Sequence, residues 1–208
     1  MTISTYSELK DAIANWSARA DLASGGANIN RVDEIIDNAE AMLNRDLRIR
    51  DMETKNASFV INGEYVAVPT GFLEARSLYL NTSPKRSVAF LPDDQQSDWF
   101  GSGTGIPRFV AVDGGNFRFG PVPDGTYSAT LLYYTKIPAL NGTDTTNWLL
   151  TAHPDIYLAA CQMWTSVFIR DAEGIANWRA AYQQMVAALS GADNRSRWGS
   201  NGMAVRVA

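Results

Sequence analysis

Ala57-Ser-Phe-Val-Ile-Asn-Gly-Glu-Tyr-Val-Ala-Val68 is the stretch on which the fold turns. Two β-prone runs, residues 57–61 and 64–68, meet across Asn62-Gly63. Asn-Gly between such runs signals a hairpin, because a type I′ turn needs two positive φ angles that these residues adopt at little cost. Pro69-Thr70-Gly71 breaks the second run. Upstream of about Thr54 the apolar residues recur with helical period, so this stretch marks a change from helix to sheet.

Moving upstream, Thr5 and Glu8 stand at capping-box spacing. Leu9, Ile13, Trp16 and Ala20 form an apolar stripe, with Lys10, Asp11, Asn15 and Arg19 off it. Gly25-Gly26 ends this helix. A second helix starts near Asn28 or Asn30 as N-cap and carries Val32, Ile35, Ile36, Ala39, Met42, Leu43 and Leu47. Asp33, Glu34, Asp37 and Glu40 come early, and Arg45, Arg48 and Arg50 late, which complements the helix dipole. The short link predicts an antiparallel αα-hairpin.

Moving downstream, residues 72–80 read either as a helical turn through Leu73, Arg76 and Leu78 or as a strand ending Ser77-Leu-Tyr-Leu80. A strand follows at 88–91. Residues 93–105 are polar and Gly-rich, with Trp99 and Phe100 embedded, and read as a loop, or as a short helix followed by a loop. Arg108-Phe-Val-Ala-Val112 and Asn116-Phe-Arg-Phe119 form a second hairpin across Asp113-Gly-Gly. A long strand spans 126–135. Short strands separated by turn signals predict a small antiparallel sandwich or barrel. After a polar connector at 138–146, His153-Pro154-Asp155 opens a helix with Pro at its first position. Its apolar residues are Ile156, Tyr157, Ala160, Cys161, Trp164, Val167 and Phe168. Another helix runs over 176–189 and Gly191 ends it.

The expected class is α+β: a helical bundle built from both chain ends, with an antiparallel β-sandwich or barrel-like domain inserted. The boundaries are 1–54 for the N-terminal helical part, 55–146 for the β-rich insertion, 147–190 for the C-terminal helical part and 191–208 for an extended tail. That tail has no acid after Asp193 and carries Arg195, Arg197 and Arg206.

Composition narrows the function. The chain has 208 residues, is 46% hydrophobic and 19% charged, and has a net charge of −4. That is globular composition, and it lacks the basic balance of a dedicated nucleic-acid binder. One cysteine, Cys161, cannot make an internal disulfide. No apolar run approaches the length of a membrane span. The Met1-Thr-Ile-Ser-Thr5 start has no basic and apolar leader pattern, so no secretory signal is expected.

Chemistry is hard to assemble from these residues. The single histidine, His153, reads as a cap or surface residue, which leaves no Ser-His-Asp arrangement. Cys161 reads as a buried small hydrophobe. One His and one Cys cannot build a zinc site. Asp93-Asp94 and Asp144 lack calcium-loop spacing and read as solvated loop acids. Gly101-Ser-Gly-Thr-Gly105 is followed by Ile106-Pro107 and a strand, not by the helix N-terminus of a phosphate cradle. Tyr127, Tyr133 and Tyr134 could form a sugar platform, but fit a sheet core or subunit contact better. No enzyme activity, cofactor or metal is expected.

The order of features resembles the head-to-tail adaptor proteins of tailed bacteriophages, in particular the adaptor family of short-tailed phages related to SU10. The likeness rests on Tyr6-Ser-Glu-Leu9 with Ile13, Trp16 and Ile29, and on Ile35-Ile-Asp-Asn-Ala-Glu40 with Leu43, Arg45, Leu47 and Arg48. Val68-Pro69, Phe72-Leu-Glu-Ala-Arg76 and Gly105-Ile-Pro-Arg-Phe109 continue it. Leu131-Leu-Tyr-Tyr134, Ile137-Pro138, Leu140, Asn147-Trp-Leu149 and Pro154-Asp-Ile-Tyr157 complete it. Together these cover most of residues 6–185.

The resemblance implies a homo-oligomeric ring, usually of twelve subunits, in the virion neck between the portal protein and the tail. Such a ring is assembled in the host cytoplasm. It extends the DNA channel without gripping the DNA and offers docking sites for nozzle or fibre proteins, with no membrane step. Carried onto this chain, it makes Leu9, Ile13, Trp16, Ile35, Ile36, Met42 and Leu47 the expected inter-subunit residues. The tail, through Trp198, Met203, Val205, Arg206 and Val207, is the expected portal-docking segment. Another neck or tail-completion protein is the alternative, followed by a cell-wall hydrolase or sugar-binding module.

Overall fold

The computed structural model describes residues 3–23, 26–92 and 103–198. The chain is α+β and divides into two compact units. One takes residues 1–51 and 137–208, the other residues 52–136.

In the first unit, α1 (Tyr6–Trp16) starts with the expected capping box. Thr5 Oγ1 accepts from the Glu8 amide at 3.3 Å, and Glu8 Oε2 accepts from the Thr5 amide at 3.0 Å. Each satisfies an amide that the first helical turn leaves orphaned. Residues 17–28 then include a short 3₁₀ turn, Ala20–Leu22. Here Asp21 gathers the loop. It takes both Arg19 nitrogens at 2.7 and 2.8 Å and the Asn28 amide nitrogen at 2.7 Å. Asn28 is thereby drawn away from capping α2 (Ile29–Asp46), which has no side-chain cap. Gly26 is required in this loop, because a Cβ there would sit 2.3 Å from the Asp21 carbonyl oxygen.

The chain returns to this unit through α3 (Trp148–Ala152), capped by Asn147 Oδ1 on the Leu150 amide at 2.8 Å. Next come α4 (Pro154–Ile169), with Pro at its first turn, and α5 (Ala172–Trp198). Arg170, at φ 61°, turns the chain between them. Leu9, Ile13, Leu22, Val32, Ile36, Leu43, Leu47, Leu149, Leu150 and Tyr157 are fully buried. At roughly 1.5–3 kcal/mol for each large apolar side chain, this burial supplies the driving force for the unit.

The helix expected to stop at Gly191 runs on to Trp198. Its continuation is anchored: Arg50 Nε donates to Asp193 Oδ1 at 3.2 Å, Arg50 also reaches Ser196 Oγ, and Arg197 Nη2 meets Asp193 Oδ2 at 3.1 Å. A glycine inside a helix costs only about 1 kcal/mol, and the helix continues through Gly191. The first residues of the expected tail, 191–198, are therefore helical.

The second unit is one curled sheet of seven strands. In chain order the strands are β1 (Glu53–Ile61), β2 (Tyr65–Ala67), β3 (Phe72–Leu80), β4 (Arg86–Phe90), β5 (Thr104–Gly105), β6 (Phe109–Asp113), β7 (Asn116–Gly120), β8 (Val122–Pro123) and β9 (Tyr127–Thr135). The order across the sheet is β1-β9-β3-β4-β6-β7-β2, and β5 pairs separately with β8. The sheet is mixed rather than antiparallel throughout, because β4 and β6 run parallel. Residues 91–108 between them are long enough for the crossover that parallel pairing needs. The ambiguous segment 72–80 is strand, since Leu78 and Leu80 alternate inward beside Leu131 and Ala129.

The hairpin read from Asn62-Gly63 is a different structure. β1 pairs with β9, β2 pairs with β7, and neither Asn62 nor Gly63 has a positive φ. β1 and β2 form the two edges of the sheet. Six strand spacings would separate them by roughly 29 Å in a flat sheet. Three residues, 62–64, can span no more than about 15 Å. The sheet must therefore curl until its edges approach. The core shows the same curl: the rings of Phe59 on β1 and Phe117 on β7 lie 5.8 Å apart, and those of Phe72 on β3 and Phe117 lie 5.2 Å apart. Burial of this aromatic face selects the curled sheet over a local two-stranded hairpin, which is marginal in water.

Candidate functional site

The residues that looked most chemical in the sequence are not brought together. His153 ends α3 and precedes α4 without a side-chain cap bond. Cys161 is fully buried within α4, and burial, followed by the nearby Glu40 carboxylate, pushes its thiol up. Such a thiol is a poor nucleophile. Asp93, Asp94, Gly101 and Ser102 lie outside the described residues. Asp144 closes an exposed turn with Asn141. Tyr133 points into the sheet core, and its neighbour Tyr134 falls on the other face, beneath Arg76, whose guanidinium is 5.7 Å from the ring. Successive strand residues face opposite ways, so these tyrosines cannot share a sugar platform. Among the described residues no three His, Cys, Asp or Glu side chains gather as metal ligands, and no helix is long and apolar enough to cross a membrane.

The expected inter-subunit residues separate by exposure. Leu9, Ile13, Ile35, Ile36 and Leu47 are buried inside the protomer. Their side chains pack into the subunit's own core. The reason is periodicity: the most regular apolar stripe of a helix is the one that packs at home. Met42 is half-buried, and Trp16 is 64% exposed, resting edge-on against Trp178 at 5.7 Å. Of the expected tail residues, Trp198 is the last residue of α5. Met203, Val205, Arg206 and Val207 lie outside the described residues.

Two constellations emerge that the sequence had not singled out. The first is a buried polar clamp. Glu40 Oε1 accepts from the Tyr157 hydroxyl at 2.5 Å and from the Leu140 amide at 2.8 Å. Asn147 Nδ2 donates to the Pro138 carbonyl at 2.8 Å, and Asn44 Oδ1 accepts from the Ile137 amide at 2.8 Å. This fixes the returning segment 137–147 against α2. Burial raises the Glu40 carboxyl above its ordinary value, outweighing the hydrogen bonds that favour its charged form. A signal for it was present: Glu40 stands four residues after Ile36 and three before Leu43, on the buried stripe. Reading it as one of an early acidic group hid that placement.

The second is a groove of about 520 Å³ between α2, α4 and α5. Met42, Met163, Trp164, Val167, Ile175 and Tyr182 give it an apolar lining. Arg45 and Arg179 stand at its rim, and neither makes an ion pair or side-chain hydrogen bond among the described residues. The one acid in the groove, Asp46, is engaged by the Tyr182 hydroxyl at 2.9 Å. The Trp164 indole N–H is buried without an acceptor among the described residues. A shallower depression of about 190 Å³ shares Trp164 and Val167 and extends the groove toward Phe168, which is 41% exposed. The site offers hydrogen-bond donors and apolar surface, which suit binding. Residues 4–207 match the family model described as SU10 adaptor protein. No curated protein matches the chain.

Proposed function

The chain belongs to the SU10 adaptor protein family, and from that premise we propose that it forms a ring, of twelve copies, between the portal and the tail of a phage. As a family member it is a structural phage adaptor, a class that works with other head and tail proteins and is not an enzyme class. The ring number, the portal contact and the docking of nozzle or fibre proteins belong to the proposal. So does assembly in the host cytoplasm.

The observation that carries the reading is the extent of the match, which spans both units and nearly all 208 residues. Two features support it. Apolar side chains on the helical unit, Trp16, Val167 and Phe168, stay exposed in the single chain, and such surface on a soluble protein is typical of a binding site. The net charge of −4 suits a channel that passes DNA without holding it.

The test is to mix the purified chain with the portal protein of the same phage and image the product. Rings seated on the portal are expected. A chain that stays monomeric and leaves portal particles unchanged overturns the reading. Deleting residues 199–208 keeps the Arg50–Asp193 anchor intact, and is expected to abolish seating on the portal while preserving the fold. Normal seating by that variant removes the tail from the docking role.

A further inference from the structure

We propose that the groove between α2, α4 and α5 receives the acidic aromatic segment Asp93-Asp-Gln-Gln-Ser-Asp-Trp-Phe100 of a neighbouring copy of this chain. The inference rests on the ring reading above and names the contact that closes the ring.

The groove's chemistry specifies its occupant. Its lining is apolar and soft, with two methionines, and such surface accommodates aromatic side chains readily. Its rim is cationic, with Arg45 and Arg179 uncommitted among the described residues, while its acid, Asp46, is already held by Tyr182. The matching partner carries aromatic anchors and carboxylates close together. Residues 93–100 contain three aspartates, followed at once by Trp99 and Phe100.

A second copy is the occupant because a closed ring needs two different, complementary patches on every subunit. The groove on one unit and the acidic aromatic segment on the other supply one of each. Charge pairs across such an interface set register and reject wrong partners.

A labelled peptide with the sequence of residues 92–101, titrated against the full chain at up to about 1 mM, tests the contact directly. Saturable binding is expected. The double variant R45E/R179E is expected to weaken it by about tenfold or more. A peptide with all three aspartates changed to lysine should then prefer the R45E/R179E chain. No binding, or equal binding of the native peptide to both chains, overturns the proposal. A segment docked within its own chain would block the peptide and counts against it equally.

Assembly on the portal supplies a second readout. R45E/R179E alone should form no ring, and D93K/D94K/D98K alone should form none. Their equimolar mixture should form rings, because every groove then faces a segment of opposite charge. Rings from either variant alone overturn the docking contact and leave the ring reading standing. Absence of rings from the unmodified chain overturns the ring reading, while the peptide titration still decides the groove.

Discussion

Glu40 accepts two buried hydrogen bonds, from the Tyr157 hydroxyl and the Leu140 amide. Removing it strands both donors in a buried site, at about 1–3 kcal/mol each. Glu40→Ala is therefore expected to lower unfolding free energy by about 2–6 kcal/mol, read from urea titrations. Glu40→Gln keeps an acceptor oxygen and isolates the charge. Because burial raises the Glu40 carboxyl, the folded chain holds this proton more tightly than the unfolded chain. The stability it contributes is greatest below the unfolded value and is lost as pH rises through the folded value. Relative to Glu40→Gln, the unmodified chain should lose stability as pH rises from about 4 to 7. A gap that stays constant over that range would show that the carboxyl is not raised. At this scale the sequence was legible wherever a local rule was sufficient. Thr5 and Glu8 form their capping box, whereas Glu40 needed a partner 117 residues away.

Turns show what local signals can and cannot decide. Asp113-Gly-Gly-Asn116 reads as a hairpin and is one: Asp113 pairs with Asn116, and Gly114 takes a φ of 58°. Asn62-Gly63 carries an equally good signal, yet its flanking strands go to opposite edges of the sheet. The difference lies in the core, where Phe59 and Phe117 pack together inside the curled sheet. Gly63→Ala should then be nearly neutral, within about 0.5 kcal/mol, because no positive φ is needed there. Gly114→Ala should cost about 1 kcal/mol, since a Cβ disfavours the left-handed region. Thermal melts of both variants check this, and a larger loss at Gly63 would restore the type I′ hairpin. The end of α5 follows the same logic. Gly191 was a reasonable stop signal, but Arg50, far away in sequence, holds Asp193 and Ser196. Asp193→Ala is expected to raise amide hydrogen exchange over residues 190–198 while leaving residues 172–185 unchanged.

At the scale of the whole chain, helix at the two ends and sheet between them could be read from period alone, because a period of 3.6 and a period of 2 are the strongest signals a sequence carries. The order of strands could not, since sheet order is set by which faces bury one another. The groove was equally illegible: Arg45, Trp164 and Arg179 sit on three helices, and only packing makes them neighbours. The division into units has a direct consequence for stability. The insertion leaves and re-enters at adjacent points, because Glu53 at the start of β1 is paired with Tyr134 near the end of β9. The clamp that organises the helical unit draws only on residues before 52 and after 136: Glu40 with Leu140 and Tyr157, Asn44 with Ile137, and Ile13 with Gln162. The sheet unit likewise has its own aromatic core. A chain in which a short Gly-Ser linker replaces residues 52–136 should therefore fold, with a helical circular dichroism spectrum and a single cooperative transition. Residues 52–136 alone should give a β spectrum and a transition of their own. If the helical piece melts without cooperativity while the full chain does not, its stability comes from the sheet unit, and the two are a single cooperative body.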